Sequence, residues 1–308
     1  MTATKKIRGI VPPIVTPLTP NEKVDTGSLR RLVNYMIDNG VHGIWASGTT
    51  GEFAALSDDQ RIISIETVLD EVAGRVPVIG NVASAGSQLT VDLAKPLLNS
   101  GLYGIAATPP YYYLTSQDEI LDHFRFIRNQ IDLPLWVYNI PITVKTTVDP
   151  ATVAQLAEEG TVVGIKDSSM QGELLAQLNV LCEQRQIELL KFIGTIWRVT
   201  STSDVGVDGS IPGIANVIPA ILVKGWEAAE AGDKDGVREA NAKLIVMSRL
   251  SRLSKTGGLH AGQYSGLKSA LTLLGIIDHD TVTRPLKSLT EEEKQQVPGI
   301  LKDLGLME

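Results

Sequence analysis

The run VVGIKDSS at residues 162–169 joins four apolar or small residues, with no polar alternation among them, to a lysine, an acid and two hydroxyls. A strand that is apolar on both faces belongs in a parallel sheet covered by helices, whereas a strand with one wet face alternates. Similar Val- and Ile-rich runs begin near Ile10, Gly43, Val76, Gly104, Pro134, Leu189 and Gly209. With the first run they make eight strand candidates, mostly spaced by roughly thirty residues, the length of one strand–helix unit. Helical patterns fill the intervals. Leu29, Leu32, Val33, Met36 and Ile37 fall on one apolar stripe. Ser57 with Gln60, and Ser116 with Glu119, read as capping boxes. Pro96 lies inside the third helical pattern and should kink or split it. Eight such units close most economically into a (β/α)₈ TIM barrel, with an open doubly wound sheet as the second choice.

Beyond Asn216 the pattern becomes purely helical, with helices expected at about 217–231, 234–253, 265–275 and 290–304. These exceed what the eighth unit needs. The reading is a barrel over 1–230 and a C-terminal helical layer over 231–308, packed on it as one structural unit. The glycine-rich KTGGLHAGQY, residues 255–264, reads as a loop.

Composition narrows the function classes. The 308-residue chain is 43% hydrophobic and 20% charged, as ordinary globular enzymes are. Its net charge of −7 disfavours nucleic acid, which selects concentrated Lys and Arg. The N-terminus lacks a signal-peptide core, and no stretch approaches the roughly 20 apolar residues of a membrane span. A single cysteine, Cys182, supports neither an internal disulfide framework nor a cysteine-rich zinc site, and suits the cytoplasm. The four histidines show no paired metal spacing, and phosphate-loop, dinucleotide and nucleophile-elbow motifs are missing.

In a parallel barrel the reactive groups stand where the strands' C-terminal ends open into loops. The second strand ends in Ser47-Gly48-Thr49-Thr50-Gly51-Glu52-Phe53, the fourth in Thr108-Pro109-Pro110-Tyr111-Tyr112-Tyr113, the fifth in Tyr138-Asn139-Ile140-Pro141 and the sixth in Lys166-Asp167-Ser168-Ser169. Lys166 should emerge from its apolar strand into a partly dry mouth, where desolvation disfavours ammonium and leaves a nucleophilic amine. Taken alone, a lysine at a strand end is more simply a side chain snorkelling to water. Tyr138 on the neighbouring strand changes that reading, because imine formation needs a proton carrier near the amine. The GTTGE turn offers backbone N–H groups and two hydroxyls that could seat a carboxylate. The tyrosine run fits a packing or subunit surface equally well.

GTTGE, a Pro-Tyr-Tyr run, YN-x-P and GIKD, in that order and spacing, resemble the dihydrodipicolinate synthase / N-acetylneuraminate lyase family, the pyruvate-dependent class I aldolases. The likeness runs from about Gly9 to the C-terminus. It implies the same barrel with a C-terminal helical layer, a homotetramer, and chemistry without a metal or other cofactor. By motif, Lys166 matches the Schiff-base lysine and Tyr138 the tyrosine that relays protons and contacts the pyruvoyl carboxylate. Thr49 and Thr50, beside Gly48, match the hydroxyl pair, with Thr50 in the relay. Tyr112 matches a tyrosine lent to a neighbouring subunit, and Ile211 in GSIPGIAN a carbonyl position near the imine. Ser168 and Gly194 fall at the same mouth.

Specificity departs from both named activities. Synthase members carry an arginine where Thr143 stands, and a hydroxyl does not replace a bidentate guanidinium. The acidic pair of sialate lyases is missing after Gly194, where Thr195, Ile196 and Trp197 follow. Ile196 and Trp197 would suit a less hydroxylated aldehyde, and Lys145, Arg198 and His260 are further polar candidates or ordinary loop residues. The favoured reading is reversible cleavage of a 2-keto-3-deoxy (sugar) acid, in the manner of N-acetylneuraminate lyase or keto-deoxy-gluconate aldolase, to pyruvate and an aldehyde. The lysine-pathway synthase acting on aspartate semialdehyde, a dehydratase, and a non-catalytic sugar-acid sensor are the rivals.

Overall fold

The computed structural model describes residues 7–170, 172–195 and 199–308. Eight strands, β1 (Gly9–Ile10), β2 (Ile44–Ala46), β3 (Val78–Asn81), β4 (Gly104–Ala107), β5 (Leu135–Asn139), β6 (Gly164–Asp167), β7 (Leu190–Ile193) and β8 (Gly209–Ser210), pair in parallel in the order β1-β8-β7-β6-β5-β4-β3-β2. The ring closes just after β1. Ile14 N donates to Trp45 O at 3.0 Å, Trp45 N donates to Pro12 O at 2.9 Å, and Pro13 pairs with Trp45 in parallel. That closure separates a barrel from an open doubly wound sheet. Asn216 secures the same seam, its amide donating to Pro13 O and Gly213 O while its side-chain oxygen accepts from Val15 N.

Strand alternation sorts the side chains into two cores. Val137 and Ile165 face outward and join the apolar layer between strands and helices, whereas Trp136 and Tyr138 point into the barrel. Inside, Trp45, Trp136 and Phe192 pack edge to face, with centroids 6.3 and 5.6 Å apart. These large rings fill the interior, so that reactive groups can stand only at its mouth.

Helix Thr26–Asp38 buries Leu29, Leu32, Val33 and Met36, the stripe expected from its spacing. Ser116 and Glu119 form both arms of their capping box. The box expected at Ser57 is half made: Ser57 accepts from Gln60 N, but the Gln60 side chain takes the amide of Val24 at 2.7 Å. Pro96 divides helix Ser87–Ala94 from a 3-10 turn, Lys95–Leu97.

The C-terminal helices are Pro219–Glu230, Lys234–Met247, Leu259–Leu273, Glu291–Lys294 and Val297–Leu304, with a 3-10 turn at Leu250–Arg252. Leu244, Leu271 and Leu301 share one apolar cluster with barrel residues such as Val33 and Ile44. The loop expected at 255–264 is corrected, since the helix starts at Leu259 and carries its glycines inside. A Cβ at Gly262 would lie 2.7 Å from Ser251 O, and one at Gly266 would lie 2.5 Å from Leu250 O. Here glycine permits close approach of a helix to a neighbouring turn, where the sequence pattern suggested a chain break. No helix among the described residues is long and apolar enough to cross a membrane.

Candidate active site

Lys166 and Tyr138 are register partners on β6 and β5, and both point inward because strand neighbours in register share a face. The Lys166 amine lies 4.1 Å from the centroid of the Tyr138 ring and 4.9 Å from that of Trp45. It is 3% exposed, and burial pulls its pKa down to about 7. Among the described residues no carboxylate lines the chamber to offset that desolvation. The end of β6 is held from the outer side, where Asp167 accepts from the Asn139 amide at 2.7 Å and the Ser169 hydroxyl at 2.8 Å.

The Tyr138 phenol shares a 3.0 Å hydrogen bond with the Thr49 hydroxyl. Burial pushes this phenol up to about 12, so it holds its proton at neutral pH. In the GTTGE turn, Gly51 N donates to Gly48 O, and Glu52 N donates to Thr49 O. The amides of Thr49 and Thr50 donate to no backbone carbonyl among the described residues, which leaves two donors beside the phenol. The turn is anchored behind by a buried ion pair, Glu52 with Lys268 at 2.5 Å. Thr283 donates to the same carboxylate through its N–H at 2.7 Å and its hydroxyl at 2.8 Å. Lys268 also donates to Thr281 O at 2.7 Å.

Above Lys166 opens a chamber of about 300 Å³. Gly194 keeps it clear, because a Cβ there would stand 2.0 Å from Ser168 Oγ and 3.1 Å from Lys166 Cε. The barrel supplies the floor, and helix Leu259–Leu273 with the turn at Leu250–Arg252 supplies the far wall. A dry amine, free in part at neutral pH and facing a protonated phenol and two free amides, is suited to attack a 2-keto acid and hold its carboxylate.

Comparison with known proteins agrees with that chemistry. Residues 6–304 match the Dihydrodipicolinate synthetase family. The chain belongs to this family. It is 31% identical over 302 residues to an uncharacterised DapA-like lyase of Halobacterium salinarum, covering 98% of this chain and 95% of that protein. It is 30% identical over 304 residues to the 4-hydroxy-tetrahydrodipicolinate synthase of Methanopyrus kandleri, covering 98% of each. Its fold matches the dihydrodipicolinate synthase of Bacteroides thetaiotaomicron with a TM-score of 0.91 at 30% identity, over 98% of this chain and 100% of that one. It matches that of Acinetobacter baumannii, solved with pyruvate, with a TM-score of 0.87 at 26% identity, over 98% and 100%. As a dihydrodipicolinate synthetase family member the protein is a lyase of the class I pyruvate aldolase type on a TIM barrel.

Within this family member, the fold gathers Lys166, Tyr138, Thr49, Thr50, Ser168, Gly194 and Ile211 around one chamber. It leaves three expected residues outside that lining. Gly48 lies beneath, against Trp45. The Thr143 hydroxyl donates to Ile140 O at 3.1 Å, a bond local to the short helix Pro141–Val144. Tyr112 stands on the surface at 88% exposure with φ of 85°, its ring edge-on to Tyr113. Tyr111 is the inward member of the run and packs on Phe53. Of the two threonines it is Thr49 that meets the phenol, whereas Thr50 lies against Gly213. His260 lines the chamber and stacks on Tyr264, while Lys145 is exposed and donates to Ile142 O. Ile196, Trp197 and Arg198 lie outside the described residues.

Sequence reasoning missed the far wall: Ser251, Arg252, Gln263 and Tyr264. Two of these sit in the segment read as a loop. The available signal was Gln263 and Tyr264, adjacent polar-tipped side chains midway between His260 and Lys268 on one helix.

Proposed function

We propose that this protein catalyses reversible retro-aldol cleavage of a 2-keto-3-deoxy acid to pyruvate and an aldehyde through an imine on Lys166. The observation that carries the reading is an amine buried without a counter-ion among the described residues, in register with a protonated phenol. The free amine adds to the C2 carbonyl, and Tyr138 donates the proton with which the carbinolamine oxygen leaves as water. The protonated imine accepts the electron pair of the C3–C4 bond as that bond breaks. The C4 hydroxyl gives its proton to the phenol-centred relay, in which Thr49 is the hydrogen-bonded partner, and the aldehyde departs. Protonation of the enamine at C3 and hydrolysis then release pyruvate and the free lysine. The amides and hydroxyls of Thr49 and Thr50 seat the C1 carboxylate. Tyr112, exposed as it is, would serve the site of a neighbouring copy in the tetramer that the family resemblance implies.

A second reading, condensation of pyruvate with aspartate semialdehyde, has the names of several relatives in its favour. Against it stands Thr143, whose hydroxyl is spent locally and which brings no guanidinium to the chamber. Borohydride added with pyruvate should fix a reduced adduct on Lys166 by peptide mapping, and an adduct on any other lysine would overturn the mechanism. A panel assayed for pyruvate release from keto-deoxy acids, beside aspartate semialdehyde condensation, decides between the two reactions. Chelators should leave turnover intact, because the imine is the electron sink.

A further inference from the structure

Two tyrosines are buried among the described residues, Tyr138 at 2% exposure and Tyr264 at 4%. A phenol taken out of water usually finds a partner for its hydroxyl. Tyr138 has one in Thr49, and the half-buried Tyr35 donates to Val217 O at 2.8 Å. Tyr264 lines the chamber, and its hydroxyl takes part in no hydrogen bond among the described residues. Burial, and after it the charges of Tyr138 and Glu52, push this phenol above the ordinary range, so it keeps its proton at neutral pH. A hydrogen-bond donor is thus left over for whatever occupies the chamber.

The helix places that donor over the reacting groups. His260, Tyr264 and Lys268 recur every four residues on Leu259–Leu273 and so share one face. Lys268 fixes one end of the face to Glu52, the acid that closes the GTTGE turn. Gln263, the residue before Tyr264, reaches the same turn: a Cβ at Gly213 would lie 3.1 Å from Thr50 Oγ1 and 3.5 Å from Gln263 Nε2. Tyr264, one helical turn before Lys268, therefore stands beside the threonine pair. His260 stacks on its ring, with centroids 5.6 Å apart and planes at 22°, and steadies it. The other hydroxyls of this wall are spent, since Ser248 donates to Ile245 O and Ser251 to Ser248 O, both at 2.8 Å.

We propose that Tyr264 is a second catalytic phenol, which donates a hydrogen bond to the C4 oxygen of the keto acid, the oxygen that becomes the aldehyde carbonyl. This rests on the Schiff-base reading, which places C2 at Lys166 and C4 two carbons farther into the chamber. In cleavage the electron pair of the C3–C4 bond flows to the imine while the C4 hydroxyl proton passes to the Tyr138 relay. Negative charge gathers on the C4 oxygen as that proton leaves, and Tyr264 stabilises it without giving up its own. In condensation the same O–H polarises the incoming aldehyde for attack by the enamine carbon. A donor already in place where charge develops needs no reorientation during the reaction. The two phenols divide the work: Tyr138 moves protons, and Tyr264 holds the oxygen.

Two acids of equal length, 4-hydroxy-2-oxopentanoate and 2-oxopentanoate, differ only in the C4 oxygen. The concentration that half-saturates borohydride trapping on Lys166, read from the mass of the five-carbon adduct, should be about threefold to tenfold lower for the hydroxy acid, the scale of one neutral hydrogen bond. Tyr264→Phe should erase that difference and slow cleavage by about 10², the scale of one lost donor at a developing oxyanion. The same variant should retain its 2-oxopentanoate adduct and its exchange of pyruvate methyl protons with deuterated water, since neither involves a C4 oxygen. Tyr138→Phe should slow that exchange, because the imine forms through its phenol. No preference for the hydroxy acid in the unaltered protein, or a preference that survives Tyr264→Phe, overturns the role. Loss of pyruvate exchange in Tyr264→Phe overturns it too, by showing that the ring acts on the fold. No Lys166 adduct with any of the three acids in the unaltered protein would instead sink the Schiff-base reading on which the role rests.

Discussion

An amine whose pKa has fallen to about 7 is a mixture of charged and free forms at neutral pH, and only the free form attacks a carbonyl. The rate of borohydride-trapped imine formation with pyruvate should therefore rise with pH through about 7 and then level. Tyr138, pushed up to about 12, should add no descending limb below pH 10. The same shift has a stability consequence. Between about 7 and the ordinary lysine value of 10.5 the unfolded chain binds more protons than the folded one, so folding gains stability as pH rises through that window. Lys166→Met should remove this slope, abolish turnover and raise the thermal midpoint at pH 7 by about 2 °C or more, as read by calorimetry. Tyr138→Phe keeps the ring and loses the proton, so turnover should fall by about 10², the scale of a positioned acid–base group. Near-normal turnover in that variant would make Tyr138 a packing residue.

At the scale of elements, the helix at Leu259–Leu273 reaches the active-site turn through one buried pair. Glu52 stands at φ of 61° with its carboxylate turned away from the chamber toward Lys268 and Thr283. Removing one member strands the other charge out of water. Glu52→Gln should therefore cost about 3–5 kcal/mol by urea denaturation, whereas Glu52→Gln with Lys268→Met should recover most of it. A loss that is additive in the double variant would show that the two side chains act separately. The pair explains why an acid closes the GTTGE motif, a role that the local pattern of small residues does not express.

For the whole molecule, the exposed run Tyr112, Tyr113 and Leu114, at 88%, 75% and 75%, is more apolar surface than a loop tip needs when alone. Light scattering should return a multiple of the 33.2 kDa chain mass, and Tyr113→Ser with Leu114→Ser should shift the population toward smaller species. An unchanged mass in that variant would place the contact elsewhere.

How far the sequence carried depended on the range of the interaction. Strand identity, the inward lysine and its phenol partner follow from local patterns, because alternation along a strand and apolar runs on both faces are short-range constraints. The order of strands around the barrel follows from the right-handed, neighbour-to-neighbour habit of strand–helix units. What the amino-acid pattern could not express are contacts between distant segments. Gly262 looked like part of a loop until the packing of its helix against Ser251 showed why no Cβ fits there. The choice of Thr49 over Thr50 as the phenol's partner rests on rotation of a turn by one residue. Arg252, Gln263 and Tyr264 joined the chamber wall only when the C-terminal helices folded back over the barrel mouth. Tertiary structure decided these, since each depends on where the chain places residues that lie far apart along it.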